Sequence, residues 1–433
     1  GESRLSTRPR EGFYPNFADT FKKPDNGQTG CLCKREESKA PSLSKAQLSK
    51  SINYALSTPD LRIAYSGLNA PRRSRHICNS IGANLMAQKS KPVNLALQGG
   101  GAQGAFTWGV LDRILEDGRL EIAGVSGTSA GAINAVVLAD GFTRDGPEGA
   151  RSALDRFWRS MSDGARYSPL RRMPIDMLMG NWGLENNPMY HAMNALTRMA
   201  SPYQLNPMNI NPLRDLVEEL IDFDMVRRCT AFKLFISATN VESGRVKIFP
   251  RKALTADMVM ASACLPDLYQ AVEIDGVPYW DGGYVGNPSL FPFYDETDTD
   301  DIVVIQINPI ERKGAPKTPQ DIENRRNEIS FNASLLKELR AIDFVDRLIS
   351  QGKLSVDEYR QVRVHIIENQ AELKPLGASS QVNVEWEFLA KLRDIGRDTA
   401  TRWLDENFAA IGERSTVDLR EMFQGIGAEH QGG

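Results

Sequence analysis

The chain has 433 residues, 41 % of them hydrophobic and 25 % charged, an ordinary balance for a globular protein with room for one large core. It contains no run of the about 18 apolar residues that a bilayer-spanning helix needs, which argues against an integral membrane protein. The formal charge of −3 is unevenly spread: residues 1–92 carry 16 Lys and Arg against 7 Asp and Glu, a balance of +9 that leaves −12 for the remainder.

Residues 1–90 read as a basic, largely disordered arm, rich in Ser, Pro, Asn, Lys and Arg and poor in clustered apolar side chains. Within it, Leu48, Ile52, Ala55 and Leu56 share one helical face of Ser42–Leu56, which is expected to dock on the body. The arm could also meet phospholipid head groups, although a solvated tail is the more frequent source of such a bias. Cys31, Cys33, Cys78, Cys229 and Cys264 are odd in number and lack paired C-x-x-C spacing, so they are read as reduced thiols. Residues 1–30 show no apolar core of a secretory signal, and a cytoplasmic location with peripheral lipid association is expected.

At Pro92 the character changes. Val93 to Leu97 is a short apolar strand that runs into Gln98-Gly99-Gly100-Gly101-Ala102-Gln103-Gly104, after which Phe106, Val110, Leu111, Ile114 and Leu115 recur at helical spacing until Gly118. A second copy follows: Ile122 to Ser126 as strand, Gly127-Thr128-Ser129-Ala130-Gly131 as turn, Ala132 to Asp140 as helix. Two consecutive βα units imply an α/β fold with a mainly parallel sheet flanked by helices. Residues 151–224 read as helices broken by Pro and Gly, suited to a substrate-covering insertion. Further strands are expected at Phe232–Asn240, Val246–Phe249, Asp301–Asn308 and Arg363–Glu368. Beyond Pro309 the chain turns mainly helical, with stripes at Leu335, Leu336, Leu339, Ile342, Val345 and Ile349, and at Phe388, Leu392, Ile395, Trp403, Leu404 and Phe408. The expected divisions are an arm at 1–90, a catalytic domain at 91–309, a helical extension at 310–423 and a frayed tail at 424–433.

Three turns carry candidate chemistry. Gly127 to Gly131 has the G-x-S-x-G form of a nucleophile elbow, in which a tight strand-to-helix turn pushes the Ser129 hydroxyl outward and flanking glycines remove clashing Cβ atoms. The following helix points its positive end at the serine. Gly99 to Gly104 fits two uses: a dinucleotide-binding G-x-G-x-x-G, or a loop whose bare amides bind an oxyanion. The dinucleotide use wants an acid at the far end of the next strand, where Ser126 and Gly127 stand instead. Asp281-Gly282-Gly283, alone, reads first as a plain turn.

Together the three segments resemble the patatin-like phospholipase family, over roughly Val93 to Asn308 and including Ala261-Ser262-Ala263-Cys264-Leu265-Pro266 as the helix leading into the aspartate strand. The helical region after Pro309 is similar to an extension in a bacterial subset of that family. The resemblance implies the family's parallel-sheet α/β fold and a Ser-Asp dyad that cleaves lipid acyl esters without histidine. Ser129 would be the nucleophile, Asp281 the base, Gly99, Gly100 and Gly101 the oxyanion-hole loop, and Gly104, Gly127, Gly131, Gly282 and Gly283 its supporting glycines. One departure is Gln103, where many members carry Lys or Arg.

A Ser129–Asp281–His365 triad follows a permissible chain order. His365 lies in an alternating strand, however, and is read as structural; His76, His191 and His430 have no motif around them. No metal, cofactor or nucleic acid is expected: sensible ligand spacings are missing, as is aromatic interleaving of the basic residues. The rival functions are a non-catalytic or autoinhibited lipid-binding effector on the same fold, and an NAD-binding oxidoreductase.

Overall fold

The computed structural model describes residues 90–424. The arm, its Ser42–Leu56 helix, Cys31, Cys33, Cys78 and the frayed tail lie outside the described residues. The strands are β1 (Lys91–Leu97), β2 (Leu120–Gly127), β3 (Lys233–Asn240), β4 (Val246–Pro250), β5 (Val272–Ile274), β6 (Val277–Asp281), β7 (Asp301–Ile305) and β8 (Arg363–Ile367). They form one mixed, mostly parallel sheet in which β3, β2, β1, β7 and β8 run parallel in that order, while β4, β5 and β6 add antiparallel pairings around β3. The four strands expected after the elbow are present within two or three residues of their expected ends. The β5–β6 hairpin is additional, turning at Asp275 and Gly276, both at positive φ (54° and 76°), the backbone of a tight two-residue turn.

The helices are α1 (Gly104–Asp117), α2 (Ala130–Gly164), α3 (Pro174–Met179), α4 (Pro188–Met199), α5 (Pro202–Leu205), α6 (Pro212–Leu220), α7 (Phe223–Arg228), α8 (Ala256–Ser262), α9 (Pro292–Glu296), α10 (Pro319–Ser350), α11 (Gln370–Leu373), α12 (Trp386–Asn407) and α13 (Leu419–Gln424). α2 is two helices end to end, because Asp145 and Gly146 leave helical geometry just before Pro147, whose ring cannot follow a helical residue without strain.

Alternation along the central strands sorts the helices into two outer layers. Val93, Leu95 and Leu97 of β1, with Val303 and Ile305 of β7, face a core shared with α1, α2 and α12. Ala96, Ile302, Val304, Val364 and Ile366 face the other side, where α10 supplies Leu335, Leu339, Ile342, Val345 and Ile349. Burial on both faces explains why these strands read as unbroken apolar runs. α12 crosses α1 at close range: a Cβ on Gly109 would lie 1.9 Å from the Arg393 carbonyl oxygen, and one on Gly396 would lie 2.2 Å from that of Phe106. The mainly helical C-terminal region is therefore packed directly on the helix that follows the glycine loop, and its strand β8 extends the sheet beside β7.

Candidate active site

Ser129 stands between β2 and α2 with φ 55° and ψ −122°, a backbone geometry that non-glycine residues adopt at a cost of about 1–3 kcal/mol. The neighbouring glycines make the turn sterically feasible. A Cβ on Gly127 would fall 2.5 Å from the Gly131 carbonyl oxygen, and one on Gly131 would fall 2.2 Å from that of Leu97. The Ser129 amide is held by Ser262 Oγ of α8 at 2.9 Å, and Thr128 Oγ1 donates to Gly286 O at 2.6 Å. Ser129 itself is partly exposed, and α2 starts at the next residue with its positive end beside the hydroxyl.

Register brings the aspartate to the same place. β2 pairs with β3 up to Gly127 opposite Ile236, while β4 occupies the opposite edge of β3 from Phe235 to Thr239. β6 then continues the edge that β2 vacates, with Asp281 opposite Ala238. Asp281 thus sits two residues beyond the level of Gly127, which is the level of Ser129. Its backbone is pinned on both sides, the N–H donating to Cys264 O at 2.8 Å and the carbonyl accepting from Thr239 Oγ1 at 2.7 Å. The sequence suggested that Gly282 and Gly283 serve a sharp turn; neither adopts positive φ, and close approach is the actual reason. A Cβ on Gly282 would meet Ser237 O at 2.2 Å, and one on Gly283 would meet the Phe331 ring at 2.1 Å.

The Asp281 carboxyl is 0 % exposed. Oδ1 accepts the Gly283 N–H at 2.7 Å, and Oδ2 makes no hydrogen bond among the described residues. Burial pushes its pKa up to about 7, opposed by the Gly283 amide and the Ser129 hydroxyl. The hydroxyl of Ser129 is thus near enough to favour the carboxylate form.

The glycine loop lies against this pair, since a Cβ on Gly99 would be 2.6 Å from Ser129 Cβ. Gly99 is clamped at both ends: its N–H donates to Asn287 Oδ1 at 2.7 Å and its carbonyl accepts from Asn308 Nδ2 at 2.7 Å. Of the three glycines expected to offer amides, Gly99 is therefore already engaged, while Gly101 is exposed at φ 57°. Gln98 anchors the loop from behind, its Oε1 accepting the Ile307 and Asn308 amides at 2.8 and 2.9 Å. On the far side the 3-10 turn Ala378–Val382 abuts the loop. Gln103 Nε2 donates to Ser380 Oγ at 2.8 Å, and a Cβ on Gly101 would strike the Gln381 carbonyl oxygen at 2.4 Å. Sequence reading did not single out Ser262, Asn287, Gln98 or Ser380. Of these, Gln98 and Ser262 lie within quoted segments, and nothing local in those segments marked their roles.

His365 is remote from this centre. It is paired with Val303, which pairs with Leu95 and through it with Val125, so it lies three strands away and four residues below Ser129, a drop of about 13 Å along the strand direction alone. Its Nε2 meets Asp301 Oδ1 at 3.0 Å and its Nδ1 meets Thr416 Oγ1 at 3.2 Å. It is a buried, satisfied structural histidine. Among the described residues no group of three or more His, Cys, Asp or Glu could hold a metal ion, and Cys229 and Cys264 are free thiols.

The α/β sheet thus carries a strained serine turn, a buried carboxyl at its level and a glycine loop beside it. Residues 95–294, which contain the glycine loop, Ser129 and Asp281, match the family model of patatin-like phospholipase. Among solved structures the chain is similar to VipD from Legionella pneumophila, at 15% identity and a TM-score of 0.35, covering 72% of this chain and 67% of that one. It is also similar to the ExoU–SpcU complex from the type III secretion system of Pseudomonas aeruginosa, at 16% identity and a TM-score of 0.34, covering 74% of this chain and 53% of that one. The chain thus spans about half the length of that second relative. No curated protein sequence matches the chain.

Proposed function

We propose that the domain hydrolyses lipid acyl esters with Ser129 as nucleophile and Asp281 as the base. The observation that carries this reading is the shared edge of β3, along which the strand leading to Ser129 and the strand ending at Asp281 meet at one level. Ser129 Oγ attacks the ester carbonyl as its proton passes to Asp281, and the tetrahedral intermediate expels the alcohol, which takes that proton. Water then attacks the acyl-enzyme, again giving its proton to Asp281, and the fatty acid leaves as the proton returns to Ser129. A carboxylate is ordinarily a weak base, with a pKa of about 3.9 against about 6.5 for imidazole. Burial that lifts Asp281 to about 7 supports its fitness for the task near neutral pH.

The oxyanion is assigned to the Gly100 and Gly101 amides with the positive end of α2, while Gly99, its own N–H held by Asn287, sets their position. Loss of one such donor typically costs about 3 kcal/mol of barrier. The dinucleotide reading of this loop is disfavoured by its packing, with Gly99 against Ser129 and Gly101 against Gln381. The test is covalent labelling with a fluorophosphonate alongside turnover of a panel of phospholipid, lysophospholipid and neutral-lipid esters. Labelling and turnover are expected in the wild type and lost in Ser129→Ala, and turnover is expected to be lost in Asp281→Asn. An Asp281→Asn protein that still turns over esters would sink the dyad, and a wild type that neither labels nor turns over any ester would favour the non-catalytic reading.

A further inference from the structure

Among the described residues, 17 large apolar side chains are exposed, and 13 of them fall between Tyr167 and Ile210. Random scatter of surface apolar residues does not concentrate in this way. Leu178 and Met199 are each 84 % exposed, Met208 80 % and Met179 69 %. The helices that bear them are too short and polar to cross a bilayer; no described helix is long and apolar enough to do so.

This segment borders the candidate site at two places. In its middle Ser379 Oγ accepts the Leu184 amide at 2.9 Å, next to Ser380 and Gln381, which abut the glycine loop. Near its C-terminal end the Ala271 amide donates to Tyr203 Oη at 3.2 Å and Gln270 Nε2 donates to Asn206 O at 2.8 Å, on the segment that leads from Cys264 to the Asp281 strand. A surface cleft of about 330 Å³ opens there between Arg198, Met199, Pro202, Pro266 and Asp267. Charge differs from the surroundings too. Residues 165–210 hold four Arg against Asp176 and Glu185, a balance of +2, whereas the rest of residues 93–433 carries −14. Asp176 and Arg172 are buried, Arg172 pairing with Glu385 and Arg198 with Glu323, so the exposed charge of the surface rests on Arg166 and Arg171 beside Tyr167.

We infer that residues 165–210 are a docking surface for anionic phospholipid bilayers, with Leu178, Met179, Met199 and Met208 entering the headgroup layer and Arg166 and Arg171 meeting lipid phosphates. Amphipathic surfaces of this kind bind through buried apolar area together with attraction to anionic lipid. The choice of lipid as occupant rests on the hydrolase reading, since the surface flanks the ester-cleaving site and would deliver it to its substrate. The apolar side chains sit outside the reacting groups, so docking and chemistry are separable.

The experiment uses the full chain carrying Ser129→Ala, so that lipid survives, and sediments it with vesicles of phosphatidylcholine alone or with phosphatidylglycerol. Binding is expected to need phosphatidylglycerol and to weaken by about tenfold or more on adding Leu178→Glu, Met179→Glu and Met199→Glu. The same three changes in the active protein should leave turnover of a soluble short-chain ester unchanged. Equal vesicle binding by the substituted protein would overturn the inference and place membrane attachment on the basic arm. So would a wild-type dimer that the three changes convert to monomer without altering vesicle binding, which would make the surface a contact between copies. A wild type inert toward every ester that still docks through these residues would end the hydrolase reading and leave the docking surface standing.

Discussion

The Asp281 carboxyl is fully buried at a cost to its charged form. With its pKa raised to about 7 by burial, the fold favours its neutral form. The corresponding stability is complete below the unfolded pKa near 3.9 and is lost as pH rises through about 7. Two outcomes follow with opposite signs. On the proposed dyad the carboxyl must be ionised to act as base, so kcat/KM for a soluble ester should fall on the acid side with a midpoint near 7, and not near 4, in a pH–rate profile. Asp281→Asn, which removes the charge and keeps an acceptor for the Gly283 amide, should unfold at a higher temperature than the wild type at pH 8, by up to about 4 kcal/mol in stability, with the gap closing toward pH 4. An Asp281→Asn protein that is less stable at pH 8 would mean that the carboxylate is a structural anchor.

At the scale of elements, the turn Ala378–Val382 braces the glycine loop through Ser380 and Gln381. Gln103 spends its amide on that turn. Ser380→Ala should therefore lower kcat for a soluble ester several-fold while KM stays near the wild-type value, because the loop loses its brace and the substrate pocket does not; one lost hydrogen bond is worth about 1 kcal/mol. A change confined to KM would detach the turn from the chemistry. The βα units around both glycine turns were legible because a buried strand and a helix of period 3.6 leave strong local patterns. The β5–β6 hairpin left a signal as well, an Asp275-Gly276 pair between alternating apolar residues, which was overlooked beside the louder Asp281 motif. The roles of Ser262, Asn287 and Ser380 had no local signature. Each is a single polar side chain whose meaning comes from a partner far along the chain, and only the strand order and the way β6 continues the edge of β2 bring those partners together.

For the whole molecule, the C-terminal region is part of the body that holds the site. Asp301, at the start of β7, collects His365 Nε2, the Arg363 guanidinium and the Gly412 amide, tying β7, β8 and the segment after α12 at one point. Burial works against its charge, but the hydrogen bonds from His365 and Arg363 prevail and hold its pKa down to about 2. A depressed carboxyl stabilises above its unfolded pKa near 3.9, and that contribution is lost as pH falls through about 2. Asp301→Asn should cost at most about 2 kcal/mol near neutral pH, an excess loss that disappears in acid-unfolding curves toward pH 2. The same substitution should leave fluorophosphonate labelling of Ser129 intact in the folded fraction, since this hub stands at the opposite end of the strands.

The placement of the Gln103–Ser380 bond and of α12 against α1 has a consequence for biosynthesis. Ser129 and Asp281 leave the ribosome well before Ser380, Arg393 and Gly396. A partly translated chain can therefore possess both reactive groups while its anion-binding amides still lack their support. On the proposed chemistry, ester cleavage would reach its full rate only when translation has passed the final long helix.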